Sequence, residues 1–217
     1  LTIFEVAEIL QNQGLVNKSE FINLCFDQKF IQSLGLKGKS LEGYFFPDTY
    51  LLNETQGDTG IIRTFIVNFR RHIQKFDIKT KDSLYKIITL ASIVEKEAKF
   101  EDERPIIARV FMNRLEKNRP LESCATVLYA MRLMHKEVPH RRLREKELLL
   151  KSPFNTYQNL GLPPGPICSP GMASLEAVLY PAQVDYLYFV SMGNGRHHFS
   201  RTYREHLAAK ERYNAKK

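Results

Sequence analysis

The sequence has few cysteines and lacks the usual patterns of metal sites and membrane spans. Its three cysteines, Cys25, Cys124 and Cys168, are far apart and form no Cys-x-x-Cys pair, which argues against both a disulfide framework and a zinc site. No His-Glu-x-x-His or comparable spacing occurs, so we predict neither a metal nor a cofactor. No apolar run approaches the roughly 20 residues that span a bilayer, and we recognise no signal peptide.

Signatures of nucleic-acid binding are also missing. There is no RNP-type aromatic pattern, zinc-finger spacing or Gly-rich phosphate loop, so nucleic acid is not a predicted partner. The chain does carry positive charge, with 32 basic and 24 acidic residues and a net charge of +8. This favours an anionic partner such as an acidic polymer. Much of the excess lies in residues 140–146 and 210–217, although each stretch also fits a solvated helix face.

A length of 217 residues, 43% of them hydrophobic and 26% charged, suits one large globular domain or two small ones. Hydrophobic spacing predicts helices over residues 3–13, 18–34, 59–75, 103–116, 172–179 and from 203 onward. An aromatic-rich extended segment, 41–52, precedes a linker at 53–58. Residues 186–190 and 196–200 flank a Gly193-Asn194-Gly195 turn and predict a hairpin. Helices gathered before a small antiparallel sheet predict an α+β fold. Rigid Pro/Gly-rich loops between 152 and 171 are typical carriers of binding sites.

The segment from Leu90 to Glu97 combines apolar residues with two acids. It lies in a predicted helix whose apolar residues recur at helical spacing after an N-cap at Asp82 or Ser83. Glu95 continues the apolar face, whereas Glu97 points roughly to the opposite side. Burial disfavours an ionised carboxyl group and raises its pKa, as a general acid near neutral pH requires. We therefore predict that Glu95 is a desolvated general acid. The alternative is that Glu-Lys-Glu is only the solvated end of a helix.

Several segments, taken in order, resemble the YceG-like family, the MltG-type endolytic murein transglycosylases of bacteria. They span Leu41 to His206, and the matching runs are residues 41–50, 91–97, 155–157, 161–167, 169–171 and 186–190. Residues 2–52 also resemble the LysM-like subdomain of that family, without the strand that usually opens it. The resemblance implies a truncated LysM-like subdomain at 1–55 and a helical YceG-like catalytic domain at 56–217.

By this resemblance the activity is non-hydrolytic cleavage of the β-1,4 bond between N-acetylmuramic acid and N-acetylglucosamine within a glycan strand. It leaves a 1,6-anhydro end and implies a role in terminating the elongation of nascent strands. Ordinary glycoside hydrolysis needs two carboxylates. Here the sugar's own 6-hydroxyl is a tethered nucleophile, so one acid suffices. Glu95 matches the family's catalytic Glu and would act as acid and then as base. Glu97 would be an orienting or structural neighbour and is also a candidate substrate-binding residue.

The resemblance also implies residues that bind the glycan. Asn155 and Tyr157 match an Asn-Thr-Tyr loop, Thr126 matches a Thr-Val-x-Tyr element, and Ser169 lies in a Ser-Pro-Gly element. Asn155 could instead form an Asx-turn, and Ser169 could be a structural turn residue. Glu42 is a further candidate beside the aromatic segment, with a structural role as its alternative.

Two features qualify the match. Residues 122–125 are Glu-Ser-Cys-Ala, where the family usually has Gln-x-Asp-Pro, so the polar contacts of that Asp and Gln are lost. His197 matches a Gly-x-His-x-Phe-Ser element and is predicted, with His206, to be a hydrogen-bonded scaffold histidine.

The implied partners are peptidoglycan glycan strands and, beyond them, cell-wall synthesis enzymes. Because the chain begins at Leu1 and not at Met, we expect a processed fragment. By resemblance, an upstream transmembrane helix would anchor it with the catalytic part on the outer, periplasmic face of the bacterial cytoplasmic membrane. Two alternatives stay open. One is a conventional muramidase with Glu42, Asp48 or Glu122 as second carboxylate; the other is a non-catalytic wall-binding or scaffold module.

Overall fold

The structure is a computed structural model that describes residues 1–139 and 143–214. The basic stretch predicted at 140–146 therefore lies partly outside the described residues, as does the end of the basic tail at 215–217.

Three short helices open the chain: α1 (Ile3–Asn12), α2 (Lys18–Phe26) and α3 (Gln28–Ser33). The single helix predicted over 18–34 is wrong because Asp27 adopts extended backbone angles and breaks it. The Asp27 carboxylate accepts a hydrogen bond from the Phe30 N–H at 2.6 Å and so caps α3. Asn17 caps α2 by accepting hydrogen bonds from two backbone N–H groups.

The aromatic segment 41–52 is extended chain but forms no strand among the described residues. Its rings point inward: Tyr44, Phe45 and Phe46 are buried, and Phe45 packs on Phe65 with ring centroids 4.9 Å apart. The bend at Gly43 has φ +88°, and a Cβ there would lie 2.6 Å from Pro166, so only glycine fits. The linker predicted at 53–58 is instead a short 3-10 turn, Glu54–Gln56, followed at once by a helix.

That helix is α4 (Gly57–Ile73), and the next is α5 (Lys81–Glu97). Thr80 is the N-cap of α5, in place of the predicted Asp82 or Ser83, and its hydroxyl accepts the Ser83 N–H at 3.0 Å. All seven residues from Ile88 to Val94 are buried, because α5 packs against three other helices, α6 (Arg104–Glu116), α7 (Cys124–Leu133) and α9 (Met172–Leu179). Helix α5 is therefore buried around its axis from Ile88 to Val94, whereas in its last turn Glu95 and Glu97 are partly buried and Lys96 is exposed.

The elements around these helices agree in part with those predicted from the sequence. A 3-10 turn, Glu101–Glu103, leads into α6, which carries Pro105 in its first turn, where proline is tolerated. The bounds of α9 agree with the predicted helix at 172–179. Two helices were not predicted, α7 and the single turn α8 (Glu145–Leu148).

The chain ends with a hairpin and a helix. Strands β1 (Tyr188–Ser191) and β2 (His197–Ser200) pair antiparallel, with Tyr188 opposite Ser200 and Ser191 opposite His197. Helix α10 (Tyr203–Asn214) packs against both strands. The fold is thus mostly helical with a two-stranded antiparallel sheet, which confirms the α+β class.

Two polar residues of α6, Asn113 and Arg114, are buried and support the segment that leads to this hairpin. The Asn113 side-chain amide donates to the carbonyls of Val184 and Tyr186 at 3.0 and 2.9 Å. The Arg114 guanidinium donates to the Leu187 carbonyl at 2.7 Å. Helix α6 therefore fixes where the sheet lies relative to α5.

One hydrophobic core runs from Ile3 on α1 through α4 and α5 to Val178 on α9. It crosses the predicted domain boundary at residue 55, and the division into two domains stays a prediction. No helix within residues 1–139 and 143–214 is long and apolar enough to cross a membrane.

Candidate active site

Two acids, Glu95 and Glu97, lie in the last turn of α5. Two residues of helix separate them by roughly 200° around the axis. Each of the two side chains is partly buried and contacts neighbouring elements of the fold.

Glu95 faces α6 and α9. Its Oε2 accepts hydrogen bonds from the Arg104 guanidinium at 2.8 Å, the Ser174 hydroxyl at 2.5 Å and the Gly171 N–H at 3.3 Å. Arg104 also donates to Ser174 at 2.5 Å. Glu95 is the acceptor in all three of its contacts, at the N-terminal end of α9, where a carboxylate is favoured. It ties three helices together.

Glu97 faces α7. The Ser123 hydroxyl donates to its Oε1 at 2.5 Å, and the backbone N–H of Ala125 is a further donor. Burial raises the pKa of Glu97, while these two donors and the nearby His197 oppose the rise. Glu97 is therefore a partly buried acid whose protonated form persists to higher pH than usual, and the two donors can stabilise its carboxylate form.

These contacts distinguish the two acids, and the prediction that Glu95 is the general acid stays a prediction. Glu97 is the acid whose pKa burial raises, and Glu95 is ion-paired with Arg104. The helical pattern assumed one buried face, whereas residues 88–94 are buried all around the axis. The positions of Glu95 and Glu97 relative to the apolar stripe therefore could not show which of the two acids is more desolvated.

Tyr157 belongs to the surroundings of Glu97. It is half-buried, and burial is the main cause that raises its pKa, with a smaller contribution from the Glu97 charge. Its hydroxyl lies 3.1 Å from the Cys124 sulfur. Among Asn155, Thr126, Ser169, Glu42 and Tyr157, Tyr157 is the predicted sugar contact that the structure leaves partly exposed.

The segment that departs from the family pattern, residues 122–125, is firmly held. The Glu122 N–H donates to the Thr156 carbonyl at 3.1 Å, and the Ser123 N–H donates to the Thr156 hydroxyl at 3.1 Å. The Glu122 carboxylate accepts from Arg114 at 2.7 Å. These bonds place Ser123 at the start of α7, where its hydroxyl reaches Glu97.

Three other predicted sugar contacts are buried and bond to protein. The Thr126 hydroxyl lies 2.7 Å from the Ser123 carbonyl and 2.9 Å from the Thr156 hydroxyl. Asn155 accepts the Tyr157 N–H at 2.9 Å, which is the Asx-turn alternative. Ser169 accepts the Phe45 N–H at 3.1 Å. With exposures of 0 to 2%, these side chains cannot reach a glycan and instead shape the loops around it.

Glu42, another predicted glycan contact, lies inside the protein. It is 0% exposed, accepts the Ile3 N–H at 3.2 Å and receives the Tyr129 hydroxyl. Burial raises its pKa to about 7. Asp48, the other acid of this segment, bonds to Asn68 and lies 3.2 Å from the His72 ring on α4. Both contacts correspond to structural roles.

Three side chains near the two acids were missed by sequence reasoning or given another role: Ser123, Arg104 and Glu103. Glu103 lies 2.8 Å from Nδ1 of His197, so His197 is hydrogen-bonded as predicted. Ser123 carried a usable signal, because serine before an apolar run is a typical N-cap type. Arg104 and Glu103 contact residues that are distant in the sequence, so local residue spacing does not predict these contacts.

Four surface cavities lie elsewhere. The two largest, of about 750 and 650 Å³, are lined by α1 and α2 residues and by the 181–186 segment, respectively. Neither acid of α5 lines any of the four. The Glu97 site is therefore distinguished by its hydrogen bonds and charges and not by cavity volume. Within the described part of the chain, no group of three or more His, Cys, Asp or Glu side chains is arranged to hold a metal ion.

Comparison with known sequences gives consistent matches. The sequence model of the YceG-like family matches residues 1–212. The endolytic murein transglycosylase of Bacillus subtilis (strain 168) is 44% identical over 217 residues, which cover 96% of this chain and 58% of that protein. The endolytic murein transglycosylase of Streptococcus pneumoniae serotype 2 (strain D39 / NCTC 7466) is 32% identical over 170 residues, covering 76% of this chain and 31% of that protein. This chain thus spans at most 58% of the length of these relatives.

A solved structure agrees with the sequence matches. The crystal structure of a yceG-like protein from Listeria monocytogenes superposes with a TM-score of 0.78 at 34% sequence identity. The match covers 97% of this chain and 73% of that chain.

Proposed function

The chain belongs to the YceG-like family, and we propose that it is an endolytic lytic transglycosylase of bacterial peptidoglycan. It cleaves the β-1,4 bond between N-acetylmuramic acid and N-acetylglucosamine inside a glycan strand and leaves a 1,6-anhydro end. The observation that carries the proposal is the environment of Glu97, a partly buried acid with a raised pKa, 2.5 Å from the Ser123 hydroxyl at the start of α7.

In this proposal Glu97 supplies the one proton that the reaction needs. As a neutral acid it protonates the bridging oxygen while the C1–O bond breaks, and the sugar's 6-hydroxyl forms the new bond to C1. The Glu97 carboxylate then takes the proton of that hydroxyl, so no water is consumed. A raised pKa supports the first step, and the donors Ser123 and Ala125 N–H support the carboxylate in the second.

The contacts favour Glu97 over Glu95, the acid that the sequence match selects. Glu95 accepts from Arg104, Ser174 and Gly171 through a single oxygen, and protonating it would disrupt a junction of three helices. We therefore assign Glu95 a positioning role on α5, and we retain it as the alternative acid that the experiment below must exclude.

Three further proposals concern the biological role, the location and the N-terminal subdomain of the chain. We propose that the activity terminates nascent glycan strands beside cell-wall synthesis enzymes. We propose that the chain works at the outer face of the cytoplasmic membrane, held by a segment upstream of Leu1. We also propose that residues 1–55, which contribute α1 to α3, correspond to the LysM-like subdomain.

Two other functions predict different products. A two-carboxylate muramidase would add water and leave reducing ends, and a wall-binding module would release nothing. Burial of Glu42 and the ion pair of Glu122 with Arg114 disfavour both residues as a second catalytic carboxylate. The peptidoglycan of purified sacculi is the direct substrate for telling the three apart.

The experiment is digestion of sacculi by the wild-type chain, followed by chromatography and mass analysis of the released fragments. We expect anhydro ends, which are one water lighter than hydrolytic ends. Reducing ends would indicate the muramidase, and bound but intact sacculi would indicate the binding module. The Glu97→Gln and Glu95→Gln variants then identify the acid.

A further inference from the structure

Arg114 lies in the last turn of α6 and holds the chain that leads into α7. Its side chain is only 8% exposed. Nη1 donates to the carbonyls of Pro120 and Leu121, each at 3.0 Å, and to the Glu122 carboxylate at 2.7 Å. Nε donates to the Leu187 carbonyl at 2.7 Å. A single buried guanidinium therefore ties α6 to three consecutive residues of the connection to α7 and to the chain that enters β1.

The last of these three residues, Glu122, has a strained backbone. Its φ is +55°, in the left-handed region that residues other than glycine rarely adopt. Such a conformation persists where the surrounding structure determines it. Here the Glu122 N–H donates to the Thr156 carbonyl at 3.1 Å, and the Glu122 carboxylate is paired with Arg114. The residue is thus held through both its main chain and its side chain.

Ser123 follows directly and is hydrogen-bonded at three points. Its N–H donates to the Thr156 hydroxyl at 3.1 Å, and its carbonyl accepts from the Thr126 hydroxyl at 2.7 Å. Its own hydroxyl donates to Glu97 Oε1 at 2.5 Å. Because the turn at Glu122 sets the direction of the backbone at Ser123, it also sets where this hydroxyl points.

We propose that Arg114 is a positioning residue for glycan cleavage, because it holds the strained turn at Glu122 and thereby fixes the Ser123 hydroxyl against Glu97. The proposal rests on the proposed function, in which that hydroxyl stabilises the Glu97 carboxylate after proton transfer. Arginine suits this task because its planar guanidinium presents several N–H donors in fixed directions, whereas lysine offers one mobile ammonium group. Arg114 thus acts through the turn and not on the substrate.

The test is a double-mutant cycle in the whole chain, measured as the release of anhydro ends from soluble glycan strands. Arg114→Lys keeps the positive charge but cannot serve the four acceptors at once, so kcat should fall about tenfold with KM changed less than about threefold. In the Ser123→Ala background no hydroxyl is left to position, and the same change should lower kcat by less than about threefold. Arg119→Lys is the matched control. Arg119 also lies over the Tyr188 ring but donates to the Tyr188 hydroxyl and not to the turn, so kcat should be unchanged.

A second pair of variants decides the question if Arg114→Lys does not fold. Glu122→Gly fits the left-handed backbone but removes the carboxylate, so kcat should fall about fivefold or more. Glu122→Gln keeps an acceptor for Arg114 and should stay within about twofold of the wild type.

Three results would each overturn this inference: wild-type kcat in a folded Arg114→Lys, equal losses from that change with and without the Ser123 hydroxyl, or wild-type kcat in Glu122→Gly. Anhydro ends released by the wild type would then leave the proposed function standing. A wild type that releases none would remove both.

Discussion

The Ser123 hydroxyl lies 2.5 Å from the Glu97 carboxylate and joins the start of α7 to the last turn of α5. An equivalent bond joins the Ser174 hydroxyl to Glu95 at 2.5 Å. The two acids thus have the same type of short serine contact, but Glu95 has a guanidinium beside it and Glu97 does not have one among its described contacts. On this difference we base the proposal that Glu97, and not Glu95, is the proton donor.

Removing the Ser123 hydroxyl should change the pH dependence of cleavage. Ser123 donates to Glu97 and lowers its pKa, so Ser123→Ala should raise that pKa, and the alkaline limb of kcat/KM should move up by about 0.5 to 1 pH unit. Ser174→Ala is the matched control, because it removes the corresponding hydroxyl from Glu95. Equal pH profiles for both variants and the wild type would contradict the role of Ser123.

Glu95→Gln should act on stability. The change removes the negative charge that faces Arg104, whose side chain is only 13% exposed, and we expect a loss of about 2 kcal/mol in the free energy of unfolding. Glu116→Gln is the control, since its pair with Arg109 is exposed and should change stability by less than about 0.5 kcal/mol. Urea denaturation measures both. A Glu95→Gln variant as stable as the control would rule out the helix junction.

Glu42 should make folding stability depend on pH. Burial raises its pKa from 4.5 to about 7, so between these values the folded chain holds a proton that the unfolded chain releases. Stability from this group is complete below about pH 4.5 and falls as the pH rises to about 7, by about 3 kcal/mol in total. Glu42→Gln should lose this slope in urea denaturation at a series of pH values. The same slope in both proteins would show that Glu42 is not buried as an acid.

Tyr157 should contribute to glycan binding through its ring. We expect Tyr157→Ala to weaken binding by about tenfold, because a half-buried aromatic face is lost, whereas Tyr157→Phe should change it by less than about threefold. Binding is measured with intact glycan fragments in the Glu97→Gln background, where cleavage cannot interfere. Equal affinities for the Ala and Phe variants would place the glycan elsewhere.

Local patterns predicted much of the fold. Helix α9 and the hairpin around Gly193-Asn194-Gly195 follow from spacing and turn chemistry, and Pro105 marked the first turn of α6. Patterns failed where one side chain competes with a helix. Asp27 ends α2 and caps α3. The helix is therefore broken at Asp27, although the helical spacing of apolar residues continues on both sides of it.

The site was harder to predict than the fold. The sequence placed both candidate acids near one end of a predicted helix, but the difference between Glu95 and Glu97 depends on Arg104 and Ser123, whose side chains lie at the ends of other helices. Likewise, Asn155, Thr126 and Ser169 lie in segments that match the family, yet their side chains form hydrogen bonds with the protein backbone. Motif matching finds such residues without showing whether they face the substrate.

The central claim is that Glu97 carries the proton of a cleavage that uses no water. Mass analysis of fragments released from sacculi by matched amounts of folded Glu97→Gln and Glu95→Gln tests it most directly. We predict anhydro ends from the wild type and from Glu95→Gln, and none from Glu97→Gln. Anhydro ends from Glu97→Gln, with none from a folded Glu95→Gln, would contradict the account and return the role of acid to Glu95.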